Sequence, residues 1–174
     1  MILADILQWF LLIVGAMSTL VAHWLVAHAL FPELVARARE RYVRQALRVT
    51  LVGLALAVPI LLVAIAIAKK LPHPLPQSIA VGLVLITAAL ALIGSAGLVE
   101  RIGLGLPAPL DTAQPWRRIL RGGVALAFAF LMPFLGWFVL LPWTLVSGLG
   151  AWVLAGRAPR EAPAKAALDE RARP

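Results

Sequence analysis

The stretch VTLVGLALAVPILLVAIAIA, residues 49–68, runs for twenty residues without a charge. A bilayer core about 30 Å thick is crossed by roughly 20 apolar residues of helix, so this segment reads as a membrane span. Working outward from it, three more apolar runs appear, at 2–31, 78–99 and 122–155. The whole chain agrees. Of its 174 residues, 62% are hydrophobic and 14% charged, against roughly 45–50% and 25% in an average soluble domain. Mean hydropathy is +0.94. These values exclude a water-soluble globule. They imply an all-α, polytopic transmembrane protein with three spanning helices and a C-terminal broken helix or hairpin.

Composition removes several chemistries. The chain has no cysteine, which excludes disulfides, thiolate metal sites and cysteine nucleophiles. The net charge is +8. Beside so much apolar sequence, that excess reads as the positive-inside bias and attraction to anionic lipid rather than as nucleic-acid binding.

The first apolar run contains Asp5 as its only early charge and has no basic stretch before it. It reads as a retained, tilted helix, not a cleaved signal. Residues 32–48 form a polar connector. On a helix advancing about 100° per residue, Arg37, Arg41, Arg44 and Arg48 share one stripe, and Val35, Ala38, Tyr42, Ala46 and Val49 share another. Glu33–Arg37 and Glu40–Arg44 are spaced as i,i+4 pairs. The connector is therefore an amphipathic interfacial helix whose arginines meet lipid phosphates or an acidic partner.

Pro59 inside the second apolar run predicts a kink. Residues 69–76, with Pro72, Pro74 and Pro76, read as an extended turn closed to helix. The third run carries Gly94-Ser95-Ala96-Gly97, small residues that let helices approach closely, most simply within this chain. Residues 100–121 read as a polar loop ending in Trp116-Arg117-Arg118, an interface anchor. The last run, 122–155, is too long for one straight crossing and is interrupted by Pro133, Gly136 and Pro142. It is either a kinked single crossing or a hairpin turning at residues 133–136. Residues 1–155 form one transmembrane domain, and 156–174 a disordered cytoplasmic tail.

Basic residues divide as five in the first connector, two in the second, four in the third and five in the tail. The positive-inside rule then puts the first and third connectors in the cytoplasm and the amino terminus outside. It favours the hairpin, which returns the tail to the basic side. Trp9, Trp24, Trp116, Trp137, Trp143 and Trp152 read as interfacial belt residues, with Trp137 and Trp143 also placed to shape the hairpin turn.

Candidate chemistry is sparse. His23 and His28 are five apart and diverge on a helix, so they are not a joint metal site. Each is a candidate single axial ligand for a haem or bacteriochlorophyll. Residues 25–31 around His28 resemble the pigment-ligating helix of light-harvesting polypeptides, although Trp24 stands where those helices prefer alanine. The structural alternative is that both histidines hydrogen-bond across helices or lie at the inner headgroup boundary. Serines and threonines have no acid or histidine at useful helical spacing. Asp5 and Glu100 sit near span ends, unlike a proton relay.

Phe31-Pro32-Glu33 with the arginine-rich connector, residues 48–54, residues 132–141 and Gly148-Leu149-Gly150-Ala151 resemble the polytopic membrane domain that accompanies bactofilin-like, polymer-forming cytoskeletal modules of bacteria. The resemblance spans most of 31–155 and assigns no catalytic residue. It implies a multi-pass anchor in the bacterial inner membrane. Together with the residue reading, it predicts a non-catalytic accessory or scaffold subunit of a larger complex. That subunit needs no cofactor and contacts other integral membrane subunits and anionic lipids. Arg37, Arg41, Arg44, Arg48, Trp116, Arg117 and Arg118 are its contact residues. The alternatives are a tetrapyrrole-binding subunit using His28 or His23, and a small transporter.

Overall fold

The structure is a computed structural model that describes residues 2–70, 73–106, 108 and 114–157. Five α-helices account for most of them: α1 (Ile2–Leu30), α2 (Pro32–Lys70), α3 (Pro74–Leu104), α4 (Trp116–Phe130) and α5 (Leu141–Gly156). A π-helical turn, Gly136–Leu140, leads into α5. The described residues contain no strand. Four helical stretches are long and apolar enough to cross a membrane: Ala4–Leu30, Pro32–Lys70, Pro74–Leu104 and Gly136–Gly156. The protein is an all-α, multi-pass membrane protein. The tail beyond residue 157 lies outside the described residues.

α3 is the central post. It packs against α2 and α5 on one side and against α1 and α4 on the other. Gly94, Ser95, Ala96 and Gly97 are all buried on it, so the small-residue cluster serves packing within the chain. A Cβ on Gly94 would strike the backbone of Gly148 and Trp152 in α5. One on Gly97 would come within 2.6 Å of the Arg39 amide nitrogen in α2. Gly53 of α2 and Gly150 of α5 also meet backbone to backbone. In lipid no hydrophobic force drives helices together, so close van der Waals fit must supply the cohesion.

Contact order along α3 gives the directions of the last two helices. Gly103 faces Arg118, and Gly122 of α4 faces Val99, so α4 runs opposite to α3. Gly148 faces Ala91 and Ser95, while Gly94 faces Gly148 and Trp152. α5 therefore runs in the direction of α3, and residues 116–156 form a hairpin rather than a single kinked crossing.

Three local expectations are corrected. α2 passes through Pro59, and its break falls at Gln45 (φ −148°, ψ 49°), between the amphipathic and the apolar parts. Neighbouring contacts re-satisfy the backbone around a proline inside a membrane helix; the break instead lets the connector change direction. Side chains satisfy carbonyls on both sides of it. Arg101 donates to the Tyr42 carbonyl at 2.6 Å, and the Thr50 hydroxyl to the Ala46 carbonyl at 3.1 Å.

Residues 74–76 are helical, not extended. His73 takes the extended cap conformation, its Nδ1 accepts the Leu75 amide at 3.4 Å, and Pro74 opens α3. Proline suits a first turn because the missing N–H has no helical partner there. Likewise α3 continues through Glu100 to Leu104, shortening the loop expected at 100–121.

Two side-chain bonds join helices within the core. Trp24 is fully buried, and its indole donates to Ser95 Oγ at 2.9 Å. This removes it from the interfacial belt expected of it, because its ring lies against Gly123 of α4. Tyr42 donates to Ser147 Oγ at 3.1 Å and ties α2 to α5. In Trp24→Phe the indole donor is lost while the Ser95 hydroxyl still donates to the Leu92 carbonyl. A loss of about 1 kcal/mol is expected in detergent unfolding, and Ser95→Ala added to Trp24→Phe should cost little more. Additive losses would show that Ser95 contributes independently of the tryptophan.

Candidate functional site

The apolar stripe of the connector turns inward. Val35, Ala38, Tyr42 and Val49 are buried, and only Ala46, just past the break, is exposed. Packing of Ala38 on Gly97 places the connector across the last turns of α3. The opposite stripe is left outward, with Arg37 and Arg41 half-buried and Arg44 and Arg48 exposed. Arg48 donates to the Gln45 side chain at 3.3 Å. Glu33–Arg37 and Glu40–Arg44 form no ion pair among the described residues; for exposed pairs the gain is too small to hold two long side chains together.

The start of α4 docks on the same end of α3, with the Arg118 backbone against Gly103. Trp116 is exposed, and the Arg117 guanidinium lies 5.5 Å from its ring centroid. So the fold gathers both basic groups from the sequence at one end of the bundle, around residues 97–103 of α3. Arginines in such a cluster offer forked donors that match phosphate oxygens. An aromatic ring beside them suits the headgroup level.

Beneath this surface lies a pair that sequence reading missed. Arg39 Nη1 meets Glu100 Oε1 at 2.9 Å, with the Arg39 side chain 27% exposed and Glu100 9%. Glu100 Oε2 is buried without a partner. One signal for the pair was present. At 100° per residue Arg39 falls on the margin of the apolar stripe, about 60° from its centre, and away from the other arginines. Nothing in the sequence marked Arg101 as the donor to Tyr42.

Both histidines lie on α1, His28 in its last turn before the connector. His23 and His28 are both half-buried on α1, and His23 Nε2 and His28 Nδ1 are buried without partners. The hydrogen bonds across helices expected of those atoms do not form, because α1 presents Val21, Trp24 and Ala27 to the bundle and leaves the imidazoles beside that face. Among the described residues no group of three His, Asp or Glu side chains could hold a metal ion. An apolar groove of about 200 Å³ lies between α2, α3 and α5, lined by Ala57, Leu61, Val84, Thr87 and Leu145 among others. The Thr87 hydroxyl is already spent on the Leu83 carbonyl at 2.7 Å. No protein-family model, no curated protein and no solved structure matches this chain.

Proposed function

We propose that this protein is a non-catalytic accessory or scaffold subunit of a larger bacterial inner-membrane assembly, held with its basic end in the cytoplasm. One observation carries the reading. Residues 4–16 of α1 are all exposed, Ile6, Leu7, Phe10, Leu11 and Leu12 among them, and burial begins only at Val21. Half of a spanning helix is thus unclaimed by its own bundle. A helix held this way suits a contact with another membrane subunit. The basic cluster and Trp116 suit anionic headgroups that fix the depth of the bundle. The likeness to the membrane domain accompanying bactofilin-like modules agrees with an anchoring role.

Purification from native membranes in mild detergent tests this, with an absorption spectrum and mass spectrometry on one fraction. Stoichiometric membrane partners and no visible band are expected, and the partners should be lost when Leu7 and Leu11 are replaced by alanine together. A solitary, colourless species would overturn the reading. The unpartnered ring atoms of His23 and His28 favour one alternative, a tetrapyrrole-binding subunit. That alternative requires a visible band that disappears in His28→Ala or His23→Ala.

A further inference from the structure

We propose that residues 116–156 form a re-entrant hairpin. Both arms meet the basic end of the bundle, and the tip, residues 131–138, ends among lipid acyl chains without reaching the far surface. The partner of this apolar tip is the bilayer interior itself.

Reach is the first argument. Trp24 touches both Ser95 of α3 and Gly123 of α4, which sets the three helices level at that point. From there α1 continues outward to its described start over about 30 Å, and α3 to Pro74 over a similar length, at 1.5 Å per residue. From Gly123 to the end of α4 at Phe130 the same rise gives only about 10 Å. The second arm begins at that height, because a Cβ on Gly136 would meet the carbonyl oxygens of Phe130 and Ala129. Counted along the second arm, Gly136 stands about 18 Å above Gly148, which faces Ala91 and Ser95, so the tip stops roughly 10 Å short of the outer ends of α1 and α3. Burial follows the same limit. In α3 the buried residues run from Ala91 to Gly103, with Ala80 the exception, and in α1 they begin at Val21.

Chemistry is the second argument. From Gly122 to Trp143 no side chain is charged, and only the two indoles can hydrogen-bond. Met132, Phe134, Leu135, Trp137 and Phe138 are nonetheless exposed. A turn in water or at headgroup level would present polar side chains. A turn in hydrocarbon must instead satisfy its own backbone, and this one makes a run of local bonds. Leu131 donates to Phe128 at 3.0 Å, Met132 to Ala129 at 3.2 Å, Gly136 to Met132 at 2.9 Å and Phe138 to Phe134 at 3.1 Å. Pro133 has no N–H to satisfy, and the π-helical turn carries the bonding into α5. The hairpin thus adds cross-section to the leaflet at the basic end and none to the other, which makes it a one-sided wedge.

The absence of cysteine allows a direct test in the full chain. Single cysteines at Phe134, Lys70 and Glu40 are given a nitroxide label and reconstituted in phosphatidylethanolamine–phosphatidylglycerol liposomes. Collision with oxygen, which enters hydrocarbon, is compared with collision with a water-soluble nickel chelate. At Phe134→Cys the oxygen-to-nickel ratio is expected to exceed that at Lys70→Cys and Glu40→Cys by about tenfold, since hydrocarbon excludes water and the chelate. A nickel-dominated signal at Phe134 would mean that the hairpin emerges into water. Low collision with both reagents would mean that protein covers the tip. Either result overturns the proposal. Met132→Cys provides the same reading if the Phe134 variant loses its monodisperse elution.

Discussion

Gly150→Val is expected to cost about 3 kcal/mol or more in unfolding in mild detergent, the largest effect of any single substitution considered for this protein. A Cβ at Gly150 would strike the Val49 carbonyl and lie 2.7 Å from the Gly53 amide nitrogen. The neighbours are backbone, not flexible side chains, so the strain cannot be relieved by a rotamer change. α2 and α5 would have to separate along their whole contact, and the Tyr42–Ser147 and Trp143–Thr50 bonds between them would lengthen with it. The control is Gly82→Ala, where nothing lies within 4 Å of the added atom. There the better helix propensity of alanine should leave stability unchanged or raise it by up to about 1 kcal/mol. Equal effects at the two positions would show that the α2–α5 approach is looser than described.

Arg39→Leu is expected to cost about 2–3 kcal/mol, a value reduced from the usual cost of breaking a buried pair because Arg39 keeps some contact with solvent. It would leave Glu100 buried with both carboxylate oxygens unpaired, since Oε2 has no partner even in the native fold. Glu100→Leu should cost less than Arg39→Leu, because the arginine left behind can turn toward water at the basic end. The double variant should recover much of the Arg39→Leu loss, because no charge is then left buried against apolar neighbours. A thermal-unfolding cycle over the four proteins reads the coupling directly. If the double variant is as costly as the sum of the singles, the ion pair is not what joins the connector to α3.

The separate parts of the fold differ in how much of them the sequence reveals. The spans were legible because burial in lipid imposes a one-dimensional rule, and the run at 49–68 obeys it without any reference to a partner helix. The inward face of the connector was legible for a similar reason. Val35, Ala38, Tyr42 and Val49 recur at helical spacing, and burial follows that periodicity. Breaks and caps were less accessible. Pro59 carried the stronger local signal for a kink, yet the chain turns at Gln45, where the environment changes from interface to hydrocarbon. His73 and Pro74 looked closed to helix but start one, because an N-terminal turn has no use for the missing amide.

Of the candidate site, the sequence supplied the arginine stripe and the Trp116-Arg117-Arg118 anchor but not their meeting. That depends on Gly97 and Gly103, whose missing side chains let the connector and α4 settle on the same end of α3. Trp24 shows the same division. Its composition class suggested an interface residue, and its place opposite Ser95 and Gly123 made it core.

By itself, then, the sequence determined that this is a helical membrane protein, where its spans lie and which face of the connector is apolar. These follow from the partition of each short segment between water and lipid, a property local to that segment. Only the tertiary structure decided that α4 and α5 form a hairpin, that Arg39 answers Glu100, and that the two basic groups share one end. Those outcomes rest on contacts between residues about 15 to 60 positions apart. They are set by where glycine lets two backbones touch, and no local period in the sequence encodes which glycine meets which helix.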